Sequence, residues 1–173
     1  LRDLRNVINT TSTVITSDID KQYKEFVQQG QCAVELLTGK IRIYKFVAGS
    51  EVALAKMSEG VAWCTKNTSI GKKYLKQGPI YQLLVGSDRY QLHFETKQFM
   101  DRNDFAIKFG IFDDNTLEIL KKWMMTNKTS SEVMKVEYIK LLIELGKKDE
   151  AIDQTKGLLE NLHQSLAKHF CRH

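Results

Sequence analysis

Proline is nearly absent: Pro79 is the only one in 173 residues. Helices can therefore run long, and breaks must come from Gly, Asn and Ser. Cysteine is sparse too. Cys32, Cys64 and Cys171 are odd in number, widely spaced and form no CxxC pair. That argues against a disulfide framework and against the usual zinc spacing, and a reducing compartment is the simplest setting. Long apolar runs are missing: Ile139 to Ile143 falls far short of the roughly 20 residues a helical membrane span needs. No basic stretch followed by an apolar one suggests a secretory signal. The chain opens on Leu1-Arg2-Asp3 with no initiator methionine, which suits a processed product or part of something longer. Neither GxGxxG nor GxxxxGK(S/T) occurs, which disfavours Rossmann and P-loop nucleotide sites.

What is present is ordinary for a globular protein: 42% hydrophobic and 27% charged residues,. The length suits one domain, or one domain with a helical appendix, and can bury a core without staples. A formal net charge of +5 is a mild bias towards anionic partners.

The periodicity predicts an α+β fold, with a small antiparallel sheet packed with helices and a helical C-terminal half. Residues 18–29 place Ile19, Tyr23, Phe26 and Val27 on one helical face, with Ser17 or Asp18 to start it and Gly30 to end it,. The preceding 9–17 stretch, rich in hydroxyl and β-branched residues, reads as extended or loop. Residues 33–37 and 40–47 flank Thr38-Gly39 and read as a hairpin, with a helix over 31–37 as the alternative. Ser50 is a candidate cap for a helix to Met57, and "NTSIGKKYLKQGP" reads as a short helix stopped at Gly78-Pro79. The clearest signal is "IYQLLV-GSD-RYQLHFE", two β-rich runs around a three-residue turn,. In the second run Tyr90, Leu92 and Phe94 share one face, and Gln91, His93 and Glu95 the other. "TKQF" allows another turn and a third strand, and "MDRND" a polar loop. Residues 1–112 thus form the α+β domain, and 113–173 a helical hairpin packed on it. In that second part Leu117, Leu120 and Met124 repeat at helical spacing. Ser130 with Val133 is a partial capping box. Val133, Val136, Ile139, Leu142 and Ile143 form a stripe, and "GKKDEA" is a turn into a returning helix.

The oddest stretch is "GVAWCTKNTS", 60–69. Trp63 anchors the core beneath the second hairpin, with Cys64 and Thr65 at its lip and Tyr81, Tyr90 and Phe94 as structural residues. The sharpest chemical reading makes Cys64 a nucleophile, His93 its base, Glu95 a partner for the imidazolium and Gln91 an oxyanion donor. The plainer reading is that Cys64 fills a small core pocket. His93 and Glu95, two apart on a strand, supply at most two metal ligands. Only Asp101, Asp104 and the distant His163, His169 and His173 could add to them, so no metal and no cofactor is expected. Lys66, Lys72, Lys73, Lys76, Arg89, Lys97 and Arg102 gather around the hairpin among Tyr74, Tyr81 and Tyr90. They could contact phosphates while the rings stack on bases, or they could form a solvated basic face over buried tyrosines.

Positions 61–104, "VAWCTKNTSIGKKYLKQGPIYQLLVGSDRYQLHFETKQFMDRND", resemble a domain of large phages and mobile elements. Its pattern is a W-C-T step, a Tyr and Gly, a strand, a "YQxH" strand and a "QFMD" ending. The stretch is also distantly similar to the PcfJ-like proteins of conjugative plasmids, where Trp63 is replaced by His. The family has no assigned activity, so the resemblance implies a source rather than a reaction. The expected function is a non-enzymatic binding or assembly protein of a phage or mobile element, in the host cytoplasm or the virion. Its partner would be a protein, a second copy of itself or nucleic acid, and not a membrane. The alternatives are a small enzyme using Cys64, His93 and Glu95, or a divergent ADP-ribosyltransferase, faintly echoed by "WCTKNTS", Tyr74 and Glu95.

Overall fold

The computed structural model describes residues 18–126 and 132–171. The stretch 9–17, the Ser130 cap and His173 lie outside them. The chain divides into two compact units at 107/108.

The first unit is an α+β fold. Helix α1 (18–28) precedes strands β1 (Ala33–Thr38) and β2 (Ile41–Phe46). Helices α2 (Glu51–Met57) and α3 (Thr68–Gln77) follow, then β3 (Ile80–Val85), β4 (Asp88–His93) and β5 (Gln98–Asp101). The strands form one five-stranded antiparallel sheet in the order β1-β2-β3-β4-β5. Thr38 pairs with Ile41 and Val85 with Asp88, so both hairpins close through two-residue loops. The turn expected over Gly86-Ser87-Asp88 is thus one residue shorter, because Asp88 already belongs to the ladder. In each loop only the first residue, Gly39 (φ 52) or Gly86 (φ 60), has positive φ, the type II′ pattern that matches strand twist. The loops adjoin: the Gly86 amide donates to the Lys40 carbonyl at 2.9 Å.

The register lines up Tyr44, Gln82 and Gln91 across one sheet face. That face meets Tyr23 of α1, Leu54 and Met57 of α2 and Leu75 of α3, together with Phe46, Ile80 and Leu84. The Tyr23 and Tyr44 rings stack at 4.1 Å. Ile41, Ile43, Tyr81, Leu83, Leu92 and Phe94 belong to the other face and are buried as well. Ser50 precedes α2 but makes no side-chain cap bond. Asn67 does cap α3, accepting from the Ser69 and Ile70 amides at 3.0 and 3.2 Å,.

The second unit holds α4 (Asp114–Thr126), α5 (Glu132–Glu144) and α6 (Lys148–Phe170). Asp113 caps α4 by accepting from the Thr116 amide at 2.7 Å, and Leu117, Leu120, Trp123 and Met124 are buried. Helix α5 buries Met134, Tyr138, Leu141 and Leu142, while Val136 and Ile143 of the expected stripe are exposed. Apolar residues lie on almost every side of this helix, so spacing alone does not select the inner face. Gly146, at φ 74, makes the turn into α6,. No helix among the described residues is long and apolar enough to cross a membrane.

Candidate functional site

The "GVAWCT" segment is pinned to the end of β5. The Ala62 amide donates to the Arg102 carbonyl at 2.9 Å, and the Trp63 indole N–H to the Asp101 carbonyl at 2.7 Å. Trp63 is fully buried. The chain then makes a single 3-10 turn, Cys64–Lys66, before α3.

Arg89 lies over the Trp63 ring, 5.3 Å from its centroid. Its guanidinium donates to the Met57 carbonyl and, at 3.3 Å, to the Tyr23 hydroxyl. Arg89 is 6% exposed, and its Nε has no hydrogen-bond partner. It therefore leaves the phosphate-binding group expected from the sequence: a cation closed inside the sheet–helix layer cannot reach a surface ligand. Around it runs a buried polar chain. Tyr23 donates to Gln82 Oε1 at 2.5 Å. The Gln82 amide donates to Ser58 at 3.3 Å and to Gln91 Oε1 at 3.2 Å. Thr65 donates to the same Gln91 oxygen at 3.0 Å. Burial pushes the Tyr23 hydroxyl up to about 12, against the pull of Arg89. Gln82 and Ser58 were not singled out from the sequence. The available signal was an amide set in the middle of the apolar run "IYQLLV".

Cys64 and His93 come to the wall of one small cavity, with Thr65, Tyr74 and Gln91. Its volume, about 10 Å³, is room for a single water molecule. His93 is held elsewhere. Its Nε2 faces the Tyr74 and Gly78 carbonyls at 3.1 and 3.3 Å. Carbonyls only accept, so Nε2 carries the hydrogen. In the neutral ring Nδ1 then accepts from Thr96 at 2.7 Å, and the lone pair a base would use is occupied. Burial, the largest influence, holds His93 below its ordinary 6.5, although Glu95 and both carbonyls pull the other way. Glu95 Oε2 is 3.7 Å from Nε2. Its carboxylate lies across Gly78, where an added Cβ would come within 2.1 Å of it. The Cys64 thiol is pushed up, first by burial and then by the Asp104 charge, more than its backbone and Tyr74 hydrogen bonds lower it. This is a protonated thiol beside an imidazole engaged with other groups, the reverse of an activated nucleophile. Among the described residues no cluster of His, Cys, Asp and Glu is arranged to hold a metal ion.

The remaining cations are outside. Lys66, Lys72, Lys73, Lys76, Lys97 and Arg102 are all exposed, and among the described residues none makes an ion pair. Other basic side chains do: Arg42 with Asp20 at 2.8 Å, Lys56 with Glu59 at 3.0 Å and Lys121 with Glu118 at 2.7 Å. Lys72, Lys73 and Lys76 project from α3, and Lys66 from the turn before it. Lys97 adjoins Thr96, which reaches α3 through His93, and Arg102 holds the Ala62 amide. None of the three tyrosines among them is fully exposed. Tyr81 is buried, Tyr90 half-buried, and Tyr74 packs edge-on against His93 at 5.2 Å.

Comparison with known proteins finds no matching family model, curated protein or solved structure.

Proposed function

We propose that the protein is a non-enzymatic binding protein of a phage or mobile element, acting in the host cytoplasm or the virion. It holds nucleic acid by the phosphate backbone, through the α3 face. The observation that carries this reading is the set of exposed, unpaired cations on and around α3, in a chain of net charge +5. Lysines without carboxylate partners neutralise phosphates and release counterions, and that release drives binding. Phosphate contacts of this kind position a backbone and read no bases. The source rests on the resemblance of residues 61–104 alone. The enzyme reading has less support, because neither the Cys64 thiol nor the His93 ring is prepared for catalysis.

The test is fluorescence anisotropy on two labelled duplexes of unrelated sequence. Similar affinity for both is expected, with log K falling linearly in log salt at a slope no steeper than about −5 for six phosphate contacts. Changing Lys72, Lys73 and Lys76 together to Gln makes the slope shallower by about 3. Absence of binding at low salt, or strong preference for one duplex, would remove the reading.

A further inference from the structure

We propose that the second unit binds a small aromatic carboxylate, of benzoate size, in a cavity walled by its three helices. The cavity measures about 130 Å³, close to the roughly 150 Å³ of an apolar protein cavity that takes up benzene. Its apolar wall is Met125 of α4, Ile139 of α5 and Leu158 of α6. All three are only half-buried, so a ring seated among them would remove their remaining apolar surface from water. Gly157 completes that wall. It lies in the interior of α6 (Lys148–Phe170), where glycine is less stable than alanine. Neither backbone nor packing requires it there. Its φ is outside the left-handed region, and a Cβ at this position would meet no atom within 4 Å. What the missing side chain supplies is room inside the cavity.

Lys135 sets the charge of the ligand. Among the described residues it is the only charged one lining the cavity. Its ammonium meets Glu132 at 3.5 Å, and that glutamate side chain is 69% exposed. A surface pair of this length contributes little, so a ligand carboxylate displaces Glu132 easily. Gln154 and Asn161 also line the cavity. They stand two turns apart on α6, about 10 Å at 1.5 Å per residue, with Gly157 between them. Their amides can donate to a carboxylate oxygen. The volume admits one six-membered ring with its carboxyl group, and a long acyl chain does not fit. About nine non-hydrogen atoms in such a site give a dissociation constant on the order of 1 mM. The site is separate from the α3 lysines, which belong to the first unit.

Methyl NMR of the whole chain, titrated with sodium benzoate to about 20 mM, tests this. The methyl signals of Met125, Ile139 and Leu158 should shift along a saturable curve. Sodium acetate, with the charge but no ring, should leave them in place. Benzyl alcohol, with the ring but no charge, should bind about fivefold more weakly than benzoate. Lys135→Gln should weaken benzoate by about the same factor and leave benzyl alcohol unchanged. Gly157→Leu puts a side chain into the open space and should abolish binding of both. It should also raise the thermal midpoint, because leucine is the better helix former and fills a void. Unmoved methyls, equal shifts with acetate, a benzoate affinity indifferent to Lys135→Gln, or binding that survives in folded Gly157→Leu overturns the proposal.

Discussion

Replacing Gln82 with leucine tests whether the polar chain beneath the sheet holds together as a unit. Gln82 is fully buried and bonds to Tyr23, Ser58 and Gln91. The consequences for the three partners differ. Ser58 keeps the Leu54 carbonyl at 2.7 Å, and Gln91 keeps Thr65 at 3.0 Å. Only the Tyr23 O–H is left without an acceptor. An orphaned buried donor costs about 1–3 kcal/mol, and each of the two weaker bonds about 0.5–1.5. Part of this returns because leucine buries more apolar surface. Gln82→Leu should therefore destabilise the first unit by about 2–4 kcal/mol. Tyr23→Phe should cost about 1–2 kcal/mol, chiefly by leaving the Gln82 oxygen without its donor; Arg89 also loses the Tyr23 hydroxyl but keeps the Met57 carbonyl,. In the double variant neither orphan exists, so its loss should fall short of the sum by the two orphan costs together, about 2–5 kcal/mol. Urea unfolding followed by Trp63 fluorescence measures this. A Trp123→Phe background removes the only other tryptophan, so the signal reports the first unit. Additivity within about 0.5 kcal/mol would refute the shared-bond argument.

Two further outcomes concern the cavity residues. Iodoacetamide near pH 8 should alkylate the exposed Cys171 first, with Cys64 slower by about tenfold or more because its thiol is pushed up,. Mass mapping of the labelled peptides decides, and equal rates would revive the nucleophile reading. His93 is held below its ordinary 6.5 in the fold, so the unfolded chain takes up the proton first as pH falls. Its effect on stability is thus absent above about pH 6.5 and becomes a loss below it, until the folded ring also titrates. His93→Gln should flatten the decline in urea midpoint between about pH 6.5 and 5. An unchanged slope would place the titration elsewhere.

The sheet was legible where local chemistry and pairing agree. Alternation in "RYQLHFE" sorts Tyr90 and Leu92 from Gln91 and His93, and glycine marks both two-residue loops. The first hairpin was harder to read, because β1 slips register between Val34 and Leu36 and its alternation breaks there. What alternation cannot tell is whether a polar face meets water. Arg89, Gln91 and His93 read as a solvent or ligand face, yet α1, α2 and α3 cover it and each side chain bonds to at least one residue distant in sequence. Long-range partners such as Tyr23 for Gln82, 59 positions apart, leave no trace in spacing. The α5 stripe failed for a related reason: surplus apolar residues give several usable faces, and tertiary packing chooses among them.

The two sides of α3 make binding separable from folding. Its inner side is fixed by shape. Leu75 enters the core, and Gly71 has no Cβ where one would lie 3.3 Å from Leu54 and 3.5 Å from the Thr65 carbonyl. Asn67 sets its start, and Gly78, beneath the Glu95 carboxylate, closes its end. None of these contacts involves Lys72, Lys73 or Lys76, and those lysines have no carboxylate to lose. Neutralising them should leave the urea midpoint where it was while removing phosphate contacts, so a fall in affinity in those variants reports the surface. Enlarging Gly71 would do the reverse, pushing α3 off Leu54 with every lysine still in place. If nucleic-acid affinity survives the first change and fails with the second, the contact lies elsewhere on a surface that α3 merely supports.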